Sequence, residues 1–266
     1  DRAVCDEACK LAGKRGFRNL RGFVNGVLRT ISRKKGELPL PDQNREPLRF
    51  LSVKYSVPEW LVRLWVDEYG IEITETLLGA LMEIHPVCLR FRTDCPQTQR
   101  EELLAVLKEA GISLKQSAYL PYVYTAEWGA KSGMAGGMDS LPGFSRGEFT
   151  VQDVSSALAV EAAGMGKDDF VIDVCAAPGG KSLLAAERAA RVLARDVSEE
   201  KADLIRENIA RMAVENIEVQ VFDGAEYDED LQGKADVVLL DVPCSGLGVV
   251  GKKRDIKYRV TPESLK

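Results

Sequence analysis

Two stretches of this chain end a strand-like run in residues that can do chemistry. Asp173-Val-Cys-Ala-Ala-Pro-Gly-Gly-Lys-Ser182 follows Val171-Ile172, and Asp241-Val-Pro-Cys-Ser-Gly246 follows Val237-Val-Leu-Leu240. Both runs read as buried strands. Open α/β sheets bind ligands beyond the carboxyl ends of their strands, so the two loops are expected to face one crevice.

The first loop spans Cys175, Ala176, Ala177, Pro178, Gly179, Gly180 and Lys181. A phosphate-binding P-loop would need its first glycine where Cys175 stands, and the Gly-x-Gly-x-x-Gly spacing of a dinucleotide site is absent. What fits is a methyl donor, S-adenosylmethionine. The glycines let the backbone approach a small zwitterion; N–H groups at a helix start suit its carboxylate, and nearby acids suit its ammonium. Asp196 is placed to accept from the ribose hydroxyls and Asp223 from the adenine amino group. Each aspartate alone could simply cap a turn; three strand-end acids beside this loop make a set.

The second loop supplies a thiol, Cys244, and a carboxylate, Asp241. Cytosine C5 is a poor nucleophile until a thiolate adds to C6, which makes C5 an enamine carbon able to attack a sulfonium methyl group. Asp241 would position cofactor or base.

The elements needed to place these loops are legible. From Gln152 onward a helix to about residue 163, a strand at 169–174, a helix at 181–190, a strand at 192–196, a helix at 199–213 and strands at 217–222 and 236–240 alternate. That alternation implies a parallel sheet with right-handed crossovers. Upstream, residues 16–33 carry apolar positions at three- and four-residue spacings and read as one amphipathic helix. Shorter helices are expected near 47–54, 58–69 and 74–83, and a small α+β module with strands at 87–91, 112–114 and 123–126 and a helix at 97–109. Six glycines between 129 and 147 make that stretch a connection.

Composition narrows the class. The chain has 266 residues, 45% hydrophobic and 29% charged, and no apolar run long enough to span a bilayer. It begins at Asp1 without a leader and stops at Lys266 just after a helix-start pattern, so a cytoplasmic fragment cut at both ends is expected. Six scattered cysteines and one histidine, His85, give neither a disulfide framework nor a metal-ligand set. Net charge is −5, yet Lys14 to Lys35 holds eight basic residues and no acid, and Lys252, Lys253, Arg254, Lys257 and Arg259 face only Asp255. Such patches can contact a polyanion on an acidic protein.

Taken together, the motif from Asp173 to Ser182 and that from Asp241 to Gly246 resemble the RNA cytosine-C5 methyltransferase family, and more narrowly its bacterial 16S ribosomal RNA members with a NusB-like N-terminal domain. Leu141-Pro-Gly-Phe144, Thr150-Val-Gln-Asp153 and Asp255-Ile-Lys-Tyr258 extend the resemblance over nearly the whole chain. One departure is Arg254, where relatives commonly carry proline. The resemblance implies an α/β fold: a Rossmann-like S-adenosylmethionine-dependent core, incomplete in its last strands, at 147–266. Before it come a small α+β RNA-binding region at 52–146 and the helical end of a NusB-like domain at 1–51. It implies donor binding by Cys175 to Lys181, Asp196, Asp223 and Asp241, and ribosomal RNA as partner, with phosphate contacts from Arg15, Arg18, Arg21, Lys252, Lys253, Arg254 and Lys257. It implies neither metal nor membrane, and a monomer for the full-length protein. In that family the cysteine matching Cys244 assists product release, while the attacking cysteine follows a threonine on a later strand. No Thr-Cys pair occurs here, so that thiol is expected beyond residue 266 and the chain alone is expected to be inactive. Two alternatives stay open: an inactive RNA-binding assembly module, and a DNA-type methyltransferase that attacks with Cys244 itself.

Overall fold

The computed structural model describes residues 2–83, 86–128 and 137–265, so His85 and most of the glycine-rich connection lie outside the described residues. The chain divides into two compact units, residues 1–83 with 247–266, and residues 84–246.

The first unit is helical: α1 (Arg2–Lys14), α2 (Arg21–Arg33), α3 (Pro47–Tyr55), α4 (Glu59–Tyr69) and α5 (Ile71–Met82). The helix expected over 16–33 is observed from residue 18, as α2 with a 3-10 first turn. Gly16 takes a left-handed φ of 89° in the turn after α1, and the 3-10 turn at Arg18–Leu20 leads straight into α2. Leu51, Leu61, Val62 and Leu78 are fully buried and form the core of α3 to α5. Residues 247–265 return to this unit, where Leu247 packs on that core and the Tyr258 hydroxyl donates to the Ser56 carbonyl at 2.7 Å. The apolar stripe of α2 is open, with Phe23 at 70% exposure.

The second unit contains two sheets. Strands β1 (Val87–Phe91), β2 (Ile112–Gln116), β3 (Val123–Trp128) and β4 (Phe149–Val151) form an antiparallel sheet in the order β2-β3-β1-β4, packed on α6 (Gln97–Glu109) through Leu89, Leu103 and Leu107. The other sheet is parallel: β5 (Phe170–Asp173), β6 (Arg191–Asp196), β7 (Ile217–Val221) and β8 (Val237–Leu239), in the order β7-β6-β5-β8. With α7 (Val154–Ala162), α8 (Gly180–Ala186) and α9 (Glu199–Met212) this is the α/β core the alternating pattern predicts. Val171, Leu184, Val192 and Ala157 are fully buried at its centre.

The winding order reverses between the parallel neighbours β5 and β8: the chain goes from β5 to β6 and β7 on one side and places β8 on the other. The loops after β5 and β8 therefore flank the topological switch point, where such sheets bind ligands. One expectation is corrected here. The run ending at Asp241 is not a buried strand, because among the described residues β8 pairs only with β5, which leaves Val238 at 56% and Leu240 at 65% exposure.

The end of α9 is locked to the β4 region. Arg211 donates to the carbonyls of Phe144 and Phe149, both at 3.0 Å, and its guanidinium lies 4.1 Å from the Phe144 ring centroid. Gly147 closes that contact at φ 68°, and a Cβ added there would come within 2.7 Å of Met212 Cα. Gly147→Ala combines left-handed strain with a backbone collision and is expected to cost at least about 2 kcal/mol. A urea midpoint equal to that of the unmodified chain would show that this approach relaxes freely.

Candidate functional site

The loop after β5 is pinned from two sides. The Ala176 N–H donates to the Arg195 carbonyl at 2.8 Å, the Ala177 N–H to Asp196 Oδ2 at 3.0 Å, and Asn208 Nδ2 to the Pro178 carbonyl at 3.0 Å. Gly179 then turns at φ 101°, where a Cβ would stand 3.3 Å from Ile205 Cγ2, and α8 begins at Gly180. Only glycine accepts that φ cheaply this close to α9.

Asp196 does more than end β6. It is 4% exposed, its Oδ1 accepts from the Val197 N–H and from Lys201 Nζ, both at 2.9 Å, and its Oδ2 holds Ala177. Burial pushes its carboxyl up, but Lys201 and the two N–H groups outweigh that and hold it below the usual range. Lys201 is presented by α9, whose N-cap Ser198 accepts from the Lys201 N–H. Asp223 lies on the next turn, exposed, its Oδ1 accepting from the Ala225 N–H at 3.0 Å. That turn is tied back by the Phe222 N–H, which donates to the Asp196 carbonyl at 2.9 Å, and by Gly224, where an added Cβ would lie 2.5 Å from Val174 Cγ1.

Lys181 and Asp241 form an ion pair that joins the two loops. Their side chains are 21% and 63% exposed, so the pair is worth at most about 1 kcal/mol and can exchange for a ligand group. Cys244, three residues on, is exposed. Cys175 is half-buried, and desolvation together with Asp196 and Asp173 raises its thiol above the ordinary value.

Sequence reasoning counted Asp173 among the strand-end acids without assigning it a donor group to hold, and three further groups went unassigned: Gln152, Arg90 and Lys201. Asp173 is 1% exposed; its Oδ2 accepts from Ser182 Oγ at 2.7 Å, while its Oδ1 is buried without a partner. Burial raises its carboxyl to about 6, against a smaller opposing effect of the Ser182 hydrogen bond. A buried acceptor with nothing to accept is what a cationic ligand group would complete. The signal lay in the sequence as an acid ending the β5 run.

The basic residues expected to contact phosphate fall in the helical unit. Arg15, Arg18, Arg21, Lys252, Lys253 and Arg254 are exposed. Lys257 is not: it is 4% exposed, with its ammonium 5.5 Å from the Tyr258 ring centroid, and it leaves the phosphate-contact set. Among the described residues no group of three or more His, Cys, Asp or Glu could hold a metal ion, and no helix is long and apolar enough to cross a membrane.

Comparison with known proteins follows this geometry. Residues 163–266 match the model of the 16S rRNA methyltransferase RsmB/F family, residues 57–125 that of the RsmF/B-like ferredoxin-like domain, and residues 1–33 that of the NusB family. The "Probable ribosomal RNA small subunit methyltransferase B" of Bacillus subtilis is 34% identical over 99% of this chain and 57% of its own length. The "Ribosomal RNA small subunit methyltransferase B" of Proteus mirabilis is 32% identical over 90% of this chain and 54% of its own length. The chain thus spans about half the length of the curated relatives it matches. Among solved structures, PH0851 superposes with a TM-score of 0.78 at 24% identity, covering 99% of this chain and 57% of that one. NSun6 from Pyrococcus horikoshii, solved with SFG, gives 0.63 at 22% identity and covers 73% of each chain.

Proposed function

The chain belongs to the 16S rRNA methyltransferase RsmB/F family, and on that footing we propose that it carries the methyl-donor half of a site that methylates C5 of a cytosine in 16S ribosomal RNA. The single observation that best supports this reading is the Lys181–Asp241 ion pair at the β5/β8 switch point, which sets the donor loop against the loop carrying Cys244. S-adenosylmethionine is the donor whose groups these residues fit, and when bound it supplies an electrophilic methyl group on a sulfonium.

The roles of this chain's residues follow from their contacts. Cys175 to Lys181 form the cradle, Asp173 offers a buried acceptor to the ammonium, and Asp196 and Asp223 face the ribose and adenine ends. Asp241, released from Lys181, positions the base edge. In the reaction a thiolate adds to C6, C5 takes the methyl group, the C5 proton is lost, and elimination of the thiol restores the 5,6 double bond. Cys244 assists that last step. Arg15, Arg18, Arg21, Lys252, Lys253 and Arg254 contact phosphates, which makes RNA affinity fall with salt.

Calorimetry tests the donor site. Binding of S-adenosylmethionine is expected to strengthen as pH rises through about 6, because Asp173 is protonated below that value and a ligand ammonium needs the carboxylate. Affinity should rise about fivefold from pH 5 to 6, less than about twofold from 6 to 7, and flatten above that. The same raised carboxyl gives the folded chain a contribution to stability that is fully present below the ordinary value of 3.8 and lost as pH rises through about 6. No detectable heat at any pH from 5 to 8 would remove the donor reading.

A further inference from the structure

A second buried polar atom without a partner lies beside the same loop. Gln152 follows β4 and is 6% exposed; its Oε1 accepts from Arg90 Nε at 2.6 Å, and its Nε2 is buried with no partner. The amide cannot be the other way round, because a guanidinium only donates and the atom facing it must be the oxygen. Arg90 is fully buried, is paired through Nη1 with Glu187 Oε1 at 2.6 Å, and keeps its own Nη2 unpartnered. The Gln152 donor is thus held with its acceptor side occupied and polarised by a cation, which strengthens the donating side.

What the amide faces is the start of α8. A Cβ added at Gly180 would lie 3.6 Å from Gln152 Cδ and 3.7 Å from Nε2, so the buried amide sits against the first residue of α8. Two residues further, Ser182 holds Asp173, whose Oδ1 is the other orphan. A buried donor against Gly180 and a buried acceptor held by Ser182 are the complementary pair that the carboxylate and ammonium of an α-amino acid require. Helix α8 has only seven residues and offers little dipole of its own. Recognition of the carboxylate then falls largely to side-chain donors at the loop, of which Gln152 is the buried one.

We propose that Gln152 Nε2 donates to the α-carboxylate of the methyl donor and so selects for its amino-acid end. This rests on the donor-site reading above.

The test compares two ligands by calorimetry on this chain: S-adenosylhomocysteine, and 5′-methylthioadenosine, which lacks the α-amino and carboxylate groups. Gln152→Glu keeps the shape and the acceptor for Arg90 and replaces the donor by a carboxylate oxygen, which cannot donate to a ligand carboxylate and repels it. It is expected to weaken S-adenosylhomocysteine about 10- to 100-fold, the range for a hydrogen bond to a charged group, and to leave 5′-methylthioadenosine within about twofold. As a measurement that needs no variant to fold, the Gln152 side-chain amide resonance of the unmodified chain should shift with the first ligand and not with the second. Equal weakening of both ligands, or an unchanged affinity for S-adenosylhomocysteine, overturns the assignment while the donor site stands. If the unmodified chain binds neither ligand, the donor-site reading itself falls and takes this assignment with it.

Discussion

Glu187→Ala is expected to cost the second unit about 3 to 5 kcal/mol, the penalty for leaving one partner of a buried ion pair alone. Arg90 is 0% and Glu187 9% exposed at the side chain, and Glu187 accepts not only from Arg90 but from the Thr93 N–H at 2.8 Å and the Thr93 hydroxyl at 2.5 Å. The carboxylate stands just after α8 and the guanidinium on β1, so the pair holds the antiparallel sheet to the donor core. Around it Arg188 bridges Thr93 Oγ1 at 2.8 Å and Glu161 at 2.7 Å, and Glu161 also accepts from the Tyr122 hydroxyl. Thermal unfolding should fall by roughly 10 °C or more. The double variant Arg90→Met, Glu187→Leu should recover most of the loss, because it removes both charges instead of stranding one. Arg191→Ala serves as control: its pair with Glu218 is 56% and 60% exposed and should contribute less than about 1 kcal/mol. A Glu187→Ala chain as stable as that control would mean the pair is solvated and carries no coupling between the sheets.

This network also shows where the sequence stops being readable. The core was legible because local pattern decides it: Val and Ile runs alternate with helical spacings, and β5, β6, α9 and β7 fall within a residue or so of their expected limits. The donor loop was legible because its glycines and strand-end acids are contiguous or lie at neighbouring strand ends. Arg90 and Gln152 were not, because their contact spans 62 residues and depends on β4, a three-residue strand with too little pattern to stand out. The same holds for Lys257. Its basic neighbours read as one charged face, and only the fold of 247–265 into the helical unit turns that side chain inward. Edge position is equally invisible in a sequence: Val237 to Leu240 is as apolar as a central strand, and only the order β7-β6-β5-β8 leaves one side of it open.

Cys244→Ser is expected to convert turnover into a stalled covalent complex. Of the two thiols near the switch point, Cys175 has its thiol raised by desolvation and by Asp196 and Asp173, which keeps it protonated and unreactive. Cys244 is exposed, on a loop whose Asp241 is paired to Lys181, and so is free to approach a base bound over the donor loop. If its role is to help expel the methylated base, the attacking thiol must be a second one, and the chemistry up to methyl transfer needs nothing from Cys244. A serine in its place should then let the C6 adduct form and slow its breakdown by about 100-fold or more, the usual contribution of a positioned proton-transfer group. In protein that carries this chain together with the second thiol, labelled RNA should accumulate as a species that survives denaturing electrophoresis, with methyl already transferred. The opposite result, a Cys244→Ser protein that forms no adduct and transfers no methyl, would make Cys244 the nucleophile. The reaction would then follow the order used by enzymes that attack through a Pro-Cys thiol, and Asp241 would have to hold the base while Cys244 carries it.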